Sequence, residues 1–270
     1  MDLEVIDRGE SLPEDIAEAL ARAGSRLGLF QHRFAWHEDI GSTNDMAMTA
    51  AAGGAPEGFA VAANAQSSGR GRLGRRWASP PGAGLYVSVV LHPPRQVLSL
   101  LTIAAGVAVA EGIEAATGLG TAVKWPNDVY VGSRKLAGIL AEAGSSATGD
   151  HVVVGFGVNV CPAVLPPDVM TRATSIEGEL GRSVDRGLVL AECLAAIASR
   201  YQLLKRGAGD EVITAWRARA AQHMHRRVEW DAEDGARRGL ALDIDPTGAL
   251  LVRVDDQIVR VISGEVRWMT

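Results

Sequence analysis

Apolar residues follow two different rhythms along this chain. At 97–117 and 186–205 they return every third or fourth position, which predicts helices, and the same spacing predicts shorter helices over 44–52 and 211–221. Short β-rich runs bounded by Gly, Pro or Asn predict strands over 34–38, 59–66, 84–91, 121–125, 135–142 and 151–160. Gly53-Gly54-Ala55-Pro56 and Pro80-Pro81-Gly82 carry turn chemistry and read as loops. Near the N-terminus, Ser11-Leu12-Pro13-Glu14 fits a capping box, with Ser11 as N-cap and Glu14 at the third helical position of a helix over 11–23. Strands and helices intermixed in this way predict an α+β fold, a mixed β-sheet flanked by helices.

After about 221 the texture changes. Four short strands, at 227–230, 237–243, 249–254 and 258–262, are split by Glu-Asp-Gly, Asp-Pro-Thr-Gly and Asp-Asp turns. So many strands in so short a stretch predict a small barrel or meander packed on the main unit. The expected division is therefore 1–221 and 222–270, with no internal repeat or low-complexity segment.

Composition narrows the class. A chain of 270 residues, 47% apolar and 22% charged, can bury an ordinary core in one or two domains. A formal charge of −5 argues against whole-protein attraction to nucleic acid or an anionic membrane. The basic residues are lopsided, 24 Arg against three Lys, at 124, 135 and 205. Two cysteines, Cys161 and Cys193, are too few for a disulfide framework or a four-Cys zinc site and read as reduced structural thiols. The chain opens without a signal-peptide pattern, and its longest apolar run, near 97–110, ends at Glu111, short of the ~20 residues of a membrane span. These features predict a cytoplasmic protein. Before the first strand there is room for one or two helices, less than a three-helix DNA-binding head requires.

Chemistry concentrates in a few segments. Gln66-Ser-Ser-Gly-Arg-Gly-Arg-Leu-Gly-Arg-Arg-Trp77 holds four arginines (Arg70, Arg72, Arg75, Arg76) and three glycines (Gly69, Gly71, Gly74) between two predicted strands. A solvated basic loop and an RGG-like nucleic-acid segment are two readings of it. A dinucleotide fingerprint is not, because Trp77-Ala-Ser-Pro-Pro-Gly cannot open the helix that the fingerprint needs. Physics favours an anion clamp. Glycines let backbone N–H groups approach a ligand, and guanidinium groups bind phosphate or carboxylate bidentately. Like-charge repulsion among the arginines predicts a loop that orders only over a polyanion.

Lys124-Trp125-Pro126-Asn127-Asp128 is followed by Arg134-Lys135-Leu-Ala-Gly138-Ile-Leu140. A strand, a turn, a short strand and a second turn would return Lys135 close to Lys124. The pair reads either as a solvated hairpin tip or as two point charges for a carboxylate or phosphate, with Asp128 available for magnesium or a ribose hydroxyl. Gly155-Phe-Gly157-Val-Asn159 marks a strand that a ligand or another backbone approaches closely. Ser42-Thr43-Asn44 reads first as an N-cap cluster, and such small polar groups also suit a neutral ureido or amide. His223-x-His225 lacks a third metal ligand nearby. No Gly-x-Ser-x-Gly elbow or Walker loop occurs, so a hydrolytic nucleophile has no support.

Taken in order, these segments resemble the biotin protein ligases. That family's Gly-Arg-Gly-Arg-x-Gly-Arg-x-Trp marker stands complete at 69–77, and its Lys-Trp-Pro-Asn-Asp and Arg-Lys-Leu-Ala-Gly-Ile-Leu markers stand at 124–128 and 134–140. The resemblance runs from about residue 35 to the C-terminus. It implies a class II synthetase-like catalytic domain with a small C-terminal SH3-like barrel, and an enzyme that activates biotin with ATP and Mg²⁺. The product biotinyl-5′-AMP would then pass biotin to one lysine of a biotin carboxyl carrier protein domain.

The resemblance also implies site residues. Ser42, Thr43, Asn44 and Gln66 would bond biotin, with Gly155 and Gly157 leaving backbone room. Gly69, Arg70, Gly71 and Arg72 would belong to a loop folded over the ligand. Arg70 would hold the adenylate, and Arg72 and Arg75 the ATP phosphates. Lys135 would contact the biotin carboxylate, and Lys124, Asn127, Asp128 and Asn159 would face the nucleotide. Arg70, Arg72 and Lys135 are the expected catalytic residues. Some family members add a winged-helix domain that represses biotin synthesis. The short leader here resembles the monofunctional ligases, which implies no operator binding. A lipoate or other acyl-acid ligase of the same superfamily and an arginine-loop nucleic-acid regulator are the alternatives.

Overall fold

Twelve strands in two sheets organise the computed structural model, which describes residues 10–31, 33–147, 149–163, 166–232 and 235–269. In chain order come α1 (Glu14–Ala23), β1 (Phe34–His37), α2 (Thr43–Ala52), β2 (Ala60–Ala63), β3 (Gly84–Leu91) and α3 (Leu101–Thr117). Then follow β4 (Ala122–Lys124), β5 (Asp128–Val131), β6 (Arg134–Ser146), β7 (Gly149–Asn159), the short α4 (Pro167–Met170) and α5 (Ile176–Leu180), α6 (Arg186–Lys205) and α7 (Gly209–Ala220). The C-terminal part contains β8 (Arg227–Ala232), β9 (Gly235–Ile244), β10 (Leu250–Val254), β11 (Gln257–Val261) and β12 (Val266–Trp268).

The first seven strands form one sheet in the order β1-β2-β3-β7-β6-β5-β4, with β1 and β2 parallel and every other pair antiparallel. The mixed sheet expected from the sequence is thus present. Its central strand, β7, is buried on both sides. Val152, Val154, Phe156 and Val158 point into the main core beneath α3 and α6, while Val153 joins Ala47, Ala51, Val61 and Val90 beneath α2. Full burial of one such side chain stabilises by roughly 1.5–3 kcal/mol. Helix α2 is short and covers only part of its face of the sheet. The uncovered part is where the site lies.

Helices α3 and α6 approach so closely that a Cβ on Gly112 would stand 2.5 Å from the backbone N and Cα of Cys193. Both helical stretches, Arg95–Thr117 and Arg186–Lys205, are long and apolar enough by length and composition to cross a membrane, unlike the shorter apolar run read from the sequence. Burial of most of their apolar stretches inside the protein accounts for that character. Cys161 and Cys193 are free thiols, as expected. Burial pushes both pKa values up, with Glu177 adding to the effect at Cys161, so neither is poised to react.

The C-terminal strands form a second, antiparallel sheet in the order β11-β10-β9-β8-β12. Its edge strands β11 and β12 do not pair with each other among the described residues, so hydrogen bonds do not close it into a barrel. Strand β12 was not expected, being three residues long. Part of the expected Glu-Asp-Gly turn, 233–234, lies outside the described residues. Val228, Trp230, Leu250 and Val252 join the same buried cluster as α3, so the two parts share a core. The indole of Trp125 donates to the Gly248 carbonyl at 2.9 Å across this junction.

One local expectation fails. Helix α1 starts at Glu14 with Pro13 as N-cap and no side-chain cap, so Ser11 is not the capping residue. A residue before proline is pushed into extended backbone, which keeps Leu12 out of any helix and strands Ser11 outside.

Candidate active site

The pleat of the large sheet sets the floor of the site. Ser88, Gly155 and Leu140 stand in register across β3, β7 and β6, and Gly157 pairs with Gly138 beside them. Above this row opens a cavity of about 440 Å³, walled by the N-terminus of α2, the 69–77 loop, the 124–128 turn and strand β12. Of the residues expected from the sequence, all but Gly69 and Asn159 line it.

One end is neutral and rich in hydrogen bonds. Ser42, the N-cap of α2, accepts from the Asp45 N–H, which turns Thr43 and Asn44 inward. Gln66 Oε1 accepts from the Thr43 N–H at 2.9 Å, and Gln66 Nε2 donates to Ser79 Oγ at 2.8 Å. Ser88 Oγ lies 2.9 Å from Thr43 Oγ1 and 2.7 Å from Asn44 Oδ1. All of Ser42, Thr43, Asn44 and Ser88 are buried. Two glycines work differently from expectation here. A Cβ on Gly155 would fall 2.0 Å from Asn44 Oδ1, and one on Gly69 would fall 2.7 Å from Ser79 Oγ and 3.0 Å from Gln66 Nε2. The room at Gly155 is therefore taken by Asn44, and Gly69 acts behind the site by letting Gln66 and Ser79 meet.

The Gly-Arg loop is an ordered hairpin. Gly71 N–H donates to the Arg75 carbonyl at 2.8 Å and Trp77 N–H to the Gly69 carbonyl at 2.9 Å. At its tip Leu73 and Gly74 have φ of 57° and 72°, the left-handed region that glycine favours and leucine seldom adopts. Carboxylates of this chain answer the expected repulsion among the arginines. Arg70 pairs with Asp45 and Glu142, and Arg75 with Glu265. These pairs offset part of that repulsion. Hydrogen bonding to Asp45 raises the Arg70 pKa further. Arg72 reaches inward, donating to Asn127 Oδ1 at 3.2 Å and to the Gly264 carbonyl at 3.3 Å. Burial lowers its pKa, opposed by Asp128, and a guanidinium keeps its charge regardless.

The other end is cationic. The 124–128 turn is locked to β6, because Asn127 Nδ2 donates to the Ile139 carbonyl at 2.7 Å and the Ile139 N–H donates back to the Asn127 carbonyl at 2.9 Å. This brings Lys135 Nζ to 2.6 Å from Asp128 Oδ1 and to 5.3 Å over the Trp77 ring. Lys124 Nζ sits 4.8 Å over the Tyr130 ring and 5.6 Å over the Trp268 ring. Burial lowers the Lys124 pKa, with Lys135 and Arg226 adding to the shift and Asp128 opposing it. As the sequence suggested, the two lysines serve one space.

The placement of Asn159 departs from expectation. Asn159 is not in the cavity; its side chain donates to the Thr174 carbonyl at 2.9 Å and lines a separate cavity of about 200 Å³. The end of β7 carries it past the floor, beyond Gly157. His223 packs edge-on to Tyr130, with ring centroids 5.5 Å apart, and no metal-holding cluster occurs among the described residues. Sequence reasoning missed Ser88, Glu142, Gly264, Glu265 and Trp268. Strand alternation could have found Glu142, two residues beyond Leu140 on the same face. Nothing local announces that β12 closes the cavity, because it arrives from the other sheet.

The matches to known proteins agree with this geometry. The Biotin/lipoate A/B protein ligase family profile matches residues 39–159, and the Biotin protein ligase C terminal domain profile matches 226–267. The chain is 33% identical to the bifunctional ligase/repressor BirA of Bacillus subtilis over 264 residues, 94% of this chain and 79% of that protein. It is 36% identical to the biotin–[acetyl-CoA-carboxylase] ligase of Mycobacterium tuberculosis, over 84% of this chain and 85% of that one. A solved biotin protein ligase from Aquifex aeolicus, in complex with biotin and ATP, superposes with a TM-score of 0.77 at 29% identity, covering 88% of this chain and 99% of its own. A chain that shares about a third of its residues with such ligases over most of their length, and folds as they do, belongs to the biotin protein ligase family.

Proposed function

We propose that this enzyme activates biotin with ATP to biotinyl-5′-AMP and transfers the biotinyl group to a lysine of a carboxyl carrier domain. One observation carries the reading: a single cavity joins a neutral polar end (Ser42, Thr43, Asn44, Gln66, Ser88) to a cationic end (Arg72, Lys124, Lys135). The neutral end suits a ureido ring, and the cationic end suits a carboxylate meeting a triphosphate.

In the first step the biotin carboxylate oxygen attacks the α-phosphorus and the bond to pyrophosphate breaks. Two anions must meet, and Lys135 and Arg72 at the cationic end stabilise the charge that develops. In the second step the lysine ε-amine attacks the anhydride carbonyl, the C–O bond breaks and AMP leaves with its electron pair. The incoming nitrogen gives up a proton, and an amide remains. No side chain of the enzyme becomes covalently bound. The hairpin loop covers the cavity and keeps water from the anhydride.

Mg²⁺ bound with ATP would neutralise phosphate charge, and Asp128, a carboxylate at the cationic end whose Oδ1 lies 2.6 Å from Lys135 Nζ, would serve as its protein ligand. Magnesium commonly takes one or two carboxylates and fills its shell from phosphates and water, which suits a site without a carboxylate cage. Lipoate has no ureido group to use the neutral end. The nucleic-acid reading needs arginines free for phosphate, whereas Arg70 and Arg75 are paired with carboxylates. The free thiols suit a reducing compartment, and the cytoplasm is the proposed location. Incubation with ATP, biotin and a purified carrier domain tests the proposal. Biotin is expected on one carrier lysine, and labelling that persists when that lysine is changed to Arg, or that fails altogether, overturns it.

A further inference from the structure

Glu142 belongs to none of the sequence motifs, yet it touches both the neutral end of the site and the Gly-Arg loop. Its Oε2 accepts from Asn44 Nδ2 at 2.8 Å, and its Oε1 accepts from an Arg70 nitrogen at 2.6 Å. Asn44 is buried on α2 beside Thr43, with its Oδ1 2.7 Å from Ser88 Oγ. Arg70 is the first arginine of the hairpin, and its backbone bridges to Arg76 across it. One carboxylate thus ties the neutral end of the cavity to the loop that covers it.

We propose that Glu142 is a positioning residue that couples biotin binding to closure of the Gly-Arg loop. This rests on biotin lying beside Asn44, as proposed above. The chemistry calls for a carboxylate. Ser88 takes the oxygen of the Asn44 amide, so only Nδ2 faces β6, and a guanidinium offers donors alone. Both partners therefore need acceptors. A glutamine supplies one acceptor and one donor and leaves one pair donor to donor. An aspartate keeps the charge and lacks the length to span both. Asp45 shares Arg70 with Glu142, but it is Glu142 that also holds the Asn44 amide and so joins the loop to the neutral end. Coupling of this kind is reciprocal, so biotin favours the closed loop by the factor that closure favours biotin.

Tryptic cleavage at the loop arginines, with and without biotin, tests the coupling in wild type and Glu142→Gln. ATP–pyrophosphate exchange with biotin or ATP varied is measured alongside. Loss of one charge-assisted hydrogen bond corresponds to about a tenfold effect. We expect biotin to slow loop cleavage in wild type, this protection to be largely lost in Glu142→Gln, and the biotin KM to rise about tenfold. The ATP KM and the thermal midpoint should move little. Unchanged protection and biotin KM overturn the proposal, as does an equal rise in both KM values with a fallen midpoint. Loop cleavage in wild type that biotin does not affect overturns the seat of biotin itself, and the coupling with it. Should Glu142→Gln fail to fold, Glu142→Asp carries the same two readouts with the charge retained.

Discussion

The indole of Trp77 lies directly on Gly157: a Cβ built on that glycine would stand 2.5 Å from Nε1 and 2.6 Å from Cε2. Gly138, its partner on the adjacent strand, lies under the same ring, with its Cβ position 3.0 Å from Cζ3. Two neighbouring strands are bare so that one ring can sit on the sheet. The Gly-Arg loop is seated by this contact as well as by its ion pairs, and the ring in turn gives Lys135 an aromatic face.

Gly157→Ala tests this seat. Overpacking of this kind costs about 1–3 kcal/mol. We expect adenylation to fall by roughly tenfold or more, with a modest drop in thermal midpoint. Replacing Trp77 by Leu in the same chain should recover the midpoint without recovering the rate. A Gly157→Ala variant with wild-type exchange and stability would contradict the packing account.

Lys135 lies in the cationic end of the cavity, against Asp128 and the Trp77 ring. Lys135→Ala should reduce biotin-dependent pyrophosphate exchange by about 10²–10³. Lys135→Arg should not restore it fully, because a planar fork cannot replace a compact ammonium at a reacting atom. Exchange within a few-fold of wild type in the Ala variant would remove Lys135 from the first step.

Arg72 ties the loop to the Asn127 turn and to the Gly264 carbonyl just before β12 at the same time. Arg72→Ala should therefore loosen the lid. The measurement is biotinylation of a bystander protein during turnover, where the variant is expected to release adenylate and label it. Strict labelling of the carrier domain alone would show that Arg72 does not hold the lid.

His223 links pH to stability. Burial, followed by Lys124 and Arg226, lowers its pKa from 6.5 to about 4. The native ring stays neutral through pH values at which the unfolded chain binds a proton. Its contribution is present in full above pH 6.5 and is lost as pH falls toward 4, up to on the order of 3 kcal/mol. Denaturant melts of wild type and His223→Gln between pH 7 and pH 4 should converge as the acid is approached. Parallel curves would contradict the assignment.

The sequence disclosed what local chemistry can announce. Helix α6 has the bounds that its periodicity predicts, and the 69–77 and 124–140 motifs name most of the cavity's wall. What it concealed depends on contacts between distant segments. Glu142 resembles any strand glutamate until Asn44 and Arg70 fold against it. Trp268 and Glu265 enter the site only because β12 pairs with β8 and the second sheet docks on the first. Asn159 shows the converse, a motif residue that the run of β7 carries out of the cavity. Ser11 shows that a capping pattern yields to a proline two residues later.

Biotin-dependent ATP–pyrophosphate exchange tests the central claim most directly. The wild-type chain should exchange label between pyrophosphate and ATP when biotin is present and remain at background when lipoate is supplied or no acid is added. Exchange that is absent with biotin, or as fast with lipoate, would contradict the assignment of the neutral end of the cavity to a ureido ring and of the cationic end to adenylation.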